Sequence, residues 1–316
     1  MEKKKLGKSD LLVSPLTFGG NVFGWTIDEE KSFQVLDAFS AAGFNFIDTA
    51  DGYSRWIPGN HGGESETIIG NWMKKTGNRK DVIISTKVGA DMGDGKKGLK
   101  ANYIKEAVEA SLTRLQTDYI DLYQSHHDDL GTPVSETMSA LNKLIKEGKV
   151  CYIGASNLSA ERVKQSNAFA RENNLQPYIS LQPLYNLYSR QKFEEEYLKL
   201  VTDEALAVIP YYSLASGFLT GKYRSEADLD KSPRGHGIKK YLDDRGLSIL
   251  AAMDQVAAEQ NVQLSQIAIA WSLHKPFITS AIASATNRKQ LDELIQATSL
   301  KLSNEQMVVL DDASIY

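Results

Sequence analysis

The sequence predicts an α/β fold: a (β/α)8 barrel with an N-terminal β-hairpin and an additional C-terminal helix. Three observations carry this expectation. Short apolar strands alternate with longer amphipathic helices along the whole chain, Gly, Asn or Asp stands at the junctions, and no Pro/Ser-rich linker interrupts the alternation. A length of 316 residues suits such a barrel, so one domain over 1–316 is expected. The competing doubly wound open sheet lacks its phosphate-binding signature, because the glycines of FGGNVFGW after the first strand do not follow G-x-G-x-x-G spacing.

A hairpin is expected over 5–13. Eight strands then read at SPLTFGG, FNFID, VIISTK, YIDLYQ, VCYIGAS, ISLQP, LAVIPYYS and ITSAIAS, each an apolar run ending at turn formers. Helical periodicity falls between them over 28–42, 63–75, 102–115, 134–146, 160–172, 191–201, 247–259 and 288–298.

Composition narrows the function class. The chain is 42% hydrophobic and 24% charged, with a net charge of −4 and both signs interspersed, so neither a basic nucleic-acid surface nor a polybasic membrane patch is expected. No apolar run approaches the ~18 residues of a membrane span, and the charged N-terminus lacks the apolar core of a signal peptide. A single cysteine, Cys151, excludes an internal disulfide and an all-cysteine metal site, which makes the cytoplasm the default compartment.

Chemistry-bearing residues sit where three strands end. FNFID delivers Asp48 to its C-terminal rim, with Tyr53 in the following loop after the Asp51-Gly52 turn signal; VIISTKVG carries Lys87 and DYIDLYQSHHDD carries His126. In a barrel these rims converge on one face, so residues far apart in sequence meet there. An acid, a tyrosine, a lysine and a histidine so placed are the parts of a hydride-transfer site. The neighbouring His126-His127-Asp128-Asp129 also raises a metal site. Alternation along a strand points His126 and His127 to opposite sides, and no H-x-H or H-E-x-x-H spacing occurs elsewhere, so no metal is expected.

IDTADGY with GGESETIIG, VIISTKVG, DYIDLYQSHHDD, EGKVCYIGASN, LQPLYNLYSR and YYSLASGFLTGKY, in this order, resemble the aldo-keto reductases over nearly the whole chain. The resemblance implies reversible reduction of an aldehyde or ketone to an alcohol, with a catalytic tetrad of Asp48, Tyr53, Lys87 and His126. Tyr53 is the expected proton donor. A free phenol, with a pKa near ~10, is a weak acid at neutral pH, and an ammonium about 4 Å away at an effective dielectric near ~20 lowers that value by up to roughly three units. Lys87 is therefore expected to poise Tyr53, with Asp48 holding the lysine and His126 orienting the substrate oxygen.

The same resemblance implies a nicotinamide dinucleotide, NADPH in preference to NADH. Ser156, Asn157 and Gln182 are expected at its carboxamide, Tyr212 against its ring, Gly20 beside it, and Ser213, Leu214, Ser216, Gly217 and Lys222 around the pyrophosphate. An N-cap role competes for Asn157. The stretch onward to about Asp244 is long for a loop and is expected to fold over the cofactor. Ala283, Thr286, Asn287, Arg288 and Gln290 are expected at the adenosine 2′-phosphate, at a helix N-terminus that favours an anion; a plain helix cap competes for Thr286 and Asn287. Here the chain departs from the family, carrying Ala283-Ser284 where Pro-Gly or a lysine is common and Leu294 in place of an asparagine. His127 is a departure too. Trp25, Arg55, Trp56 and His127 are expected to line a pocket for a small-molecule carbonyl substrate. Two other classes stay open: a redox-sensing, cofactor-binding regulatory subunit with slow turnover, and a divalent-metal hydrolase on the same barrel.

Overall fold

The computed structural model describes residues 2–232 and 235–316. Among them, β1 (Lys4–Lys5) and β2 (Leu12–Val13) form the antiparallel hairpin, and eight parallel strands form the barrel: β3 (Leu16–Gly19), β4 (Phe46–Asp48), β5 (Ile83–Val88), β6 (Ile120–Ser125), β7 (Val150–Ser156), β8 (Ser180–Gln182), β9 (Ala207–Val208) and β10 (Ala281–Ala283). The sheet order is β10-β3-β4-β5-β6-β7-β8-β9. The two ends of that order meet: Thr279 N donates to Val208 O at 2.9 Å and Ile282 N to Pro210 O at 3.1 Å, which closes the ring.

The hairpin stoppers the N-terminal mouth. Leu6 and Val13 pack with Phe46, Ile83, Leu122, Ile179, Ala207 and Ile209 in a cluster separate from the main core. With one mouth filled by apolar side chains, the polar chemistry has only the C-terminal rim.

The helices follow the sequence expectation with one omission. Around the barrel run α1 (Glu29–Ala41), α2 (Glu64–Thr76), α3 (Ala101–Leu115), α4 (Val134–Lys146), α5 (Ala160–Glu172), α6 (Leu198–Glu204, entered through a π-turn over Phe193–Tyr197), α7 (Asp244–Gln260), α8 (Leu264–His274), α9 (Arg288–Ala297) and α10 (Asn304–Ala313). The helix missing from the reading is α8. Its run IAIAW is buried on every side, so it shows no amphipathic period to detect. It lies against α9 and β10, whereas α7, read as the helix of that repeat, packs on α8 and α10. No described helix is long and apolar enough to cross a membrane.

The seventh strand is shorter than LAVIPYYS suggested. The regular strand ends at Val208, but its hydrogen bonds run on, Ile209 N to Leu181 O at 3.0 Å and Tyr211 N to Pro183 O at 2.9 Å, until Tyr212 takes a left-handed φ of 57°. The long connection after it forms three 3-10 turns, Ala215–Thr220, Glu226–Lys231 and Gly235–Tyr241, which pack on one another and on α8. Part of the proposed cover, residues 233 and 234, lies outside the described residues.

One glycine sets how closely two barrel helices approach. A Cβ on Gly70 of α2 meets Arg114 O at 2.2 Å and the Leu115 backbone at 2.8 Å. Gly70→Ala gains about 1 kcal/mol of helix propensity but forces α2 off α3 at a cost near ~3 kcal/mol, so a net loss of about 2 kcal/mol is expected. Urea unfolding of the two proteins measures it; an unchanged midpoint contradicts the contact.

Candidate active site

The C-terminal rim carries a buried ion pair. The parallel registers set Asp48 beside Ser85 and Lys87 beside Gln124, so β4, β5 and β6 present these side chains to one interior layer. Lys87, with 0% of its surface exposed, donates from Nζ to Asp48 Oδ2 at 2.7 Å, to Thr49 O at 2.6 Å and to Tyr53 Oη at 2.9 Å. An ammonium has three N–H groups and all three are assigned. Tyr53 Oη therefore accepts from the lysine, and its own proton has only a long contact within the protein, 3.4 Å to Asp48 Oδ2.

Asp48 is held from the other side by groups the sequence reading did not assign to it. Gln182 Nε2 donates to Asp48 Oδ1 at 2.9 Å, Ser85 Oγ at 3.1 Å and Gln124 Nε2 at 3.4 Å, while Gln124 Nε2 also meets Ser85 Oγ at 2.7 Å. A signal for one of them was available. Ser85 stands two residues before Lys87 on β5, and on a strand that spacing means the same face.

The electrostatics correct the expectation for the phenol. Burial, then the Asp48 carboxylate, holds the Tyr53 pKa well above its ordinary value of 10.0, although the ammonium lies 2.9 Å away. Asp48 at 2.7 Å from Lys87 cancels most of the ammonium's field, and that leaves burial in charge. Burial also pulls the Lys87 pKa down from 10.5, opposed mainly by Asp48. For His126, burial, then Lys87, then His127 push the pKa well below 6.5, so the ring is neutral near pH 7.

His126 follows the end of β6, its N–H bonded to Val88 O at 2.8 Å and its ring centroid 6.2 Å from that of Tyr53. Its Nδ1 is buried without a hydrogen-bond partner. The expectation that His126 and His127 diverge fails: their rings stack at 4.4 Å, with 16° between planes, because strand alternation ends at Ser125. Among the described residues, no three His, Cys, Asp or Glu side chains are grouped to hold a metal ion. Trp56, 51% exposed, stands edge-on to Trp25 at 5.4 Å and to Tyr53 at 6.3 Å, so an aromatic wall rises beside the phenol. Arg55 is exposed, with its guanidinium 2.8 Å from the space a Gly93 Cβ fills.

The sequence compares with known proteins over nearly its full length. Residues 15–315 match the aldo/keto reductase family. The chain belongs to that family. Relatives include a probable voltage-gated potassium channel subunit beta of Arabidopsis thaliana, 35% identical over 95% of this chain and 92% of the relative. Norsolorinic acid reductase of Aspergillus flavus is 35% identical over 95% of this chain and 78% of its own. An uncharacterized oxidoreductase of Bacillus subtilis, YrpG, is 34% identical over 99% and 95%. Family membership makes the protein an oxidoreductase by class, carbonyl reduction its general reaction and nicotinamide dinucleotides its general cofactor type.

The rim of this aldo/keto reductase barrel beyond the tetrad has features that suit such a dinucleotide. Tyr212 is 49% exposed and holds φ 57°, a costly region for an aromatic residue that persists where the surroundings impose it. Ala215, Ser216 and Gly217 follow with φ of 47°, 58° and 101°, bending the chain sharply next to Lys222, whose Nζ comes within 3.8 Å of the space a Gly217 Cβ fills. Ser213 is buried, its Oγ on Pro210 O at 3.3 Å, and Leu214 is half-buried before the turn. Gly20 is packed under Ser65, whose Oγ donates to its carbonyl at 2.8 Å.

Asn157 also takes a left-handed φ of 52°, donating to His126 O at 2.9 Å and accepting from Tyr211 Oη at 2.9 Å. The helix-cap role falls instead to Ser159, which accepts from Arg162 N. Ser156 Oγ donates to Gln182 O at 3.0 Å. At the far end Asn287 does cap α9, accepting from Gln290 N at 3.0 Å, while Thr286 donates to Gln290 Oε1 and Arg288 pairs with Asp292 at 2.7 Å. Ala283 ends β10 beneath them.

Proposed function

We propose that the protein is an NADPH-dependent reductase of an aldehyde or ketone, with Tyr53 as proton donor. The observation that carries this reading is the assignment of all three Lys87 N–H groups, which makes Tyr53 Oη an acceptor from the lysine and leaves its own proton held within the protein only by a long 3.4 Å contact to Asp48. The left-handed bend from Tyr212 to Gly217, the Lys222 ammonium and the ten-residue α9 with its N-terminal N–H groups fit a dinucleotide, its ring against Tyr212 and its phosphates toward Lys222 and Arg288. The nicotinamide supplies the hydride.

Everything else is done by the chain's own side chains. A substrate oxygen seated between Tyr53 Oη and the neutral His126 ring takes hydrogen bonds from both, which polarises the carbonyl. As charge builds on that oxygen, Tyr53 gives up its proton. An alkoxide is a far stronger base than a phenolate, so the transfer runs downhill even from a phenol whose pKa burial has raised. The phenolate left behind is stabilised by Lys87, already hydrogen-bonded to it. Trp25 and Trp56 form an apolar wall suited to an aromatic or apolar carbonyl compound, and the exposed His127 stacked on His126 fixes that ring's plane. Cytoplasmic location accords with the single cysteine. The channel-subunit relatives favour a second reading, in which the same site turns over slowly inside a regulatory assembly. A panel of carbonyl compounds with NADPH and NADH, followed by loss of the reduced nicotinamide, separates the two by rate.

Two consequences concern Tyr53. Tyr53→Phe removes the donor and is expected to lower turnover by roughly 10²–10⁴-fold with NADPH affinity unchanged; a variant within a few-fold of wild type removes Tyr53 from the chemistry. A phenol shifted upward stays protonated below pH 10.0, and a histidine shifted downward stays neutral above pH 6.5. The kcat/KM for reduction is therefore expected to show no limb from Tyr53 or His126 between these values, so that a falling limb there is removed by Lys87→Met, whose ammonium burial shifts downward. A falling limb that Lys87→Met retains contradicts the protonation states.

Cofactor choice is tested at α9. Arg288 must leave Asp292 to meet a 2′-phosphate, a charge-assisted contact of about 1.5–3 kcal/mol. Arg288→Ala is expected to weaken NADPH by about ten- to a hundredfold and to leave NADH unchanged, as measured by fluorescence titration. Equal losses for both contradict the assignment.

A further inference from the structure

The strain at Tyr212 has a visible cause. An aromatic residue at φ 57° persists where neighbouring bonds fix it, and the segment LQPLYNLYSR after β8 supplies them on both sides. Just before the strained residue, Tyr211 N donates to Pro183 O at 2.9 Å. At the strained residue itself, Asn186 Nδ2 donates to Tyr212 O at 2.9 Å. Both ties run to the segment 183–186, so the backbone between them has little freedom to rotate back.

Asn186 is held as firmly as it holds. It is 1% exposed, and its Oδ1 accepts from Tyr188 N at 2.9 Å and from Ser189 N at 2.8 Å. Two backbone N–H groups require an oxygen there, which leaves the NH2 group facing Tyr212 O. The residues around it are anchored in turn. Tyr185 is buried with its ring 5.4 Å from that of Trp271 and its hydroxyl donating to Glu194 at 2.7 Å, and the Tyr188 ring meets that of Tyr241 at 4.8 Å.

We propose, on the basis of the dinucleotide reading above and resting on it, that Asn186 is a positioning residue for the nicotinamide ring: its bond to Tyr212 O holds that residue in the left-handed conformation and presents the Tyr212 side chain, 49% exposed, at the rim before the cofactor arrives. Asn186 acts on the cofactor through Tyr212. Without its bond the Tyr212 backbone relaxes toward negative φ, the region an aromatic residue favours, and the ring leaves its place. The turn that follows keeps its own closure, Ala215 N to Tyr212 O at 2.7 Å, and stays packed on α8. Apparent affinity scales with the fraction of molecules that hold the competent conformation, so loss of one buried amide–carbonyl bond is expected to weaken a ligand that needs the ring by about five- to thirtyfold.

Calorimetric titration with two ligands tests this: NADPH, and 2′-phospho-ADP-ribose, which keeps the same phosphates and lacks the nicotinamide ring. Asn186→Ala is expected to bind NADPH about five- to thirtyfold more weakly than wild type and 2′-phospho-ADP-ribose within about twofold of it. A variant that merely loosens the rim weakens both. Should Asn186→Ala fail to fold, Asn186→Asp keeps the two bonds it accepts and replaces only the donor; the same split is expected, since its added charge weighs alike on two ligands with the same phosphates. In Tyr212→Gly, which has no ring to place and tolerates positive φ, adding Asn186→Ala is expected to change neither affinity. Equal losses for the two ligands, no loss for NADPH, or a further loss in the Tyr212→Gly background overturns the role of Asn186 and leaves the reductase reading standing. Failure of wild type to bind NADPH or NADH overturns that reading and the role of Asn186 with it.

Discussion

One buried ammonium organises the reactive end of this barrel. Removing Lys87 and Asp48 from water costs several kcal/mol per ion, and their attraction offsets that only if every remaining donor and acceptor is satisfied. Here they are: Lys87 reaches Asp48, Thr49 and Tyr53, and Asp48 is met in turn by Gln182, Ser85 and Gln124. The network draws on β4, β5, β6 and β8, so the closed barrel is what makes the pair tolerable. It also fixes the Tyr53 hydroxyl as an acceptor toward the lysine, and this leaves the phenolic proton with only a long 3.4 Å contact, to Asp48.

The rest of the architecture protects that arrangement. The hairpin residues Leu6 and Val13 stop the opposite mouth, which keeps water from entering the ion-pair layer from below. On the rim, strain concentrates where contact with another molecule is proposed: Asn157, Tyr212, Ala215 and Ser216 all hold positive φ. Such conformations cost of order 1–3 kcal/mol each, and the rigid strands beneath can sustain them.

Much of this was legible in the sequence, for definable reasons. The barrel strands announce themselves as short apolar runs, and Asp48, Lys87 and His126 were readable because each stands at the end of one. Helix α8 was invisible because burial on all sides erases the amphipathic period. The seventh strand, read over LAVIPYYS, is regular only at Ala207–Val208 and keeps interstrand hydrogen bonds as far as Tyr211, where the left-handed turn at Tyr212 ends it. Gln182, expected at a cofactor amide, also holds Asp48 through its nitrogen, 134 residues away. No sequence spacing encodes that contact. The upward shift of the Tyr53 phenol was also beyond reach, because it depends on how fully Asp48 neutralises the lysine. The Asp51-Gly52 pair reads as a plain turn, and only three-dimensional packing reveals that the aspartate is buried.

In the proposed reaction Lys87 acts through Tyr53 and by no separate route. Steady-state reduction rates for wild type, Lys87→Met, Tyr53→Phe and the double variant, each confirmed folded, test this. If the lysine acts by stabilising the phenolate, the double variant is no slower than Tyr53→Phe alone, because there is no phenolate left to stabilise. Losses that multiply, with the double variant slower than either single by the product of their effects, contradict it and make Lys87 an independent participant.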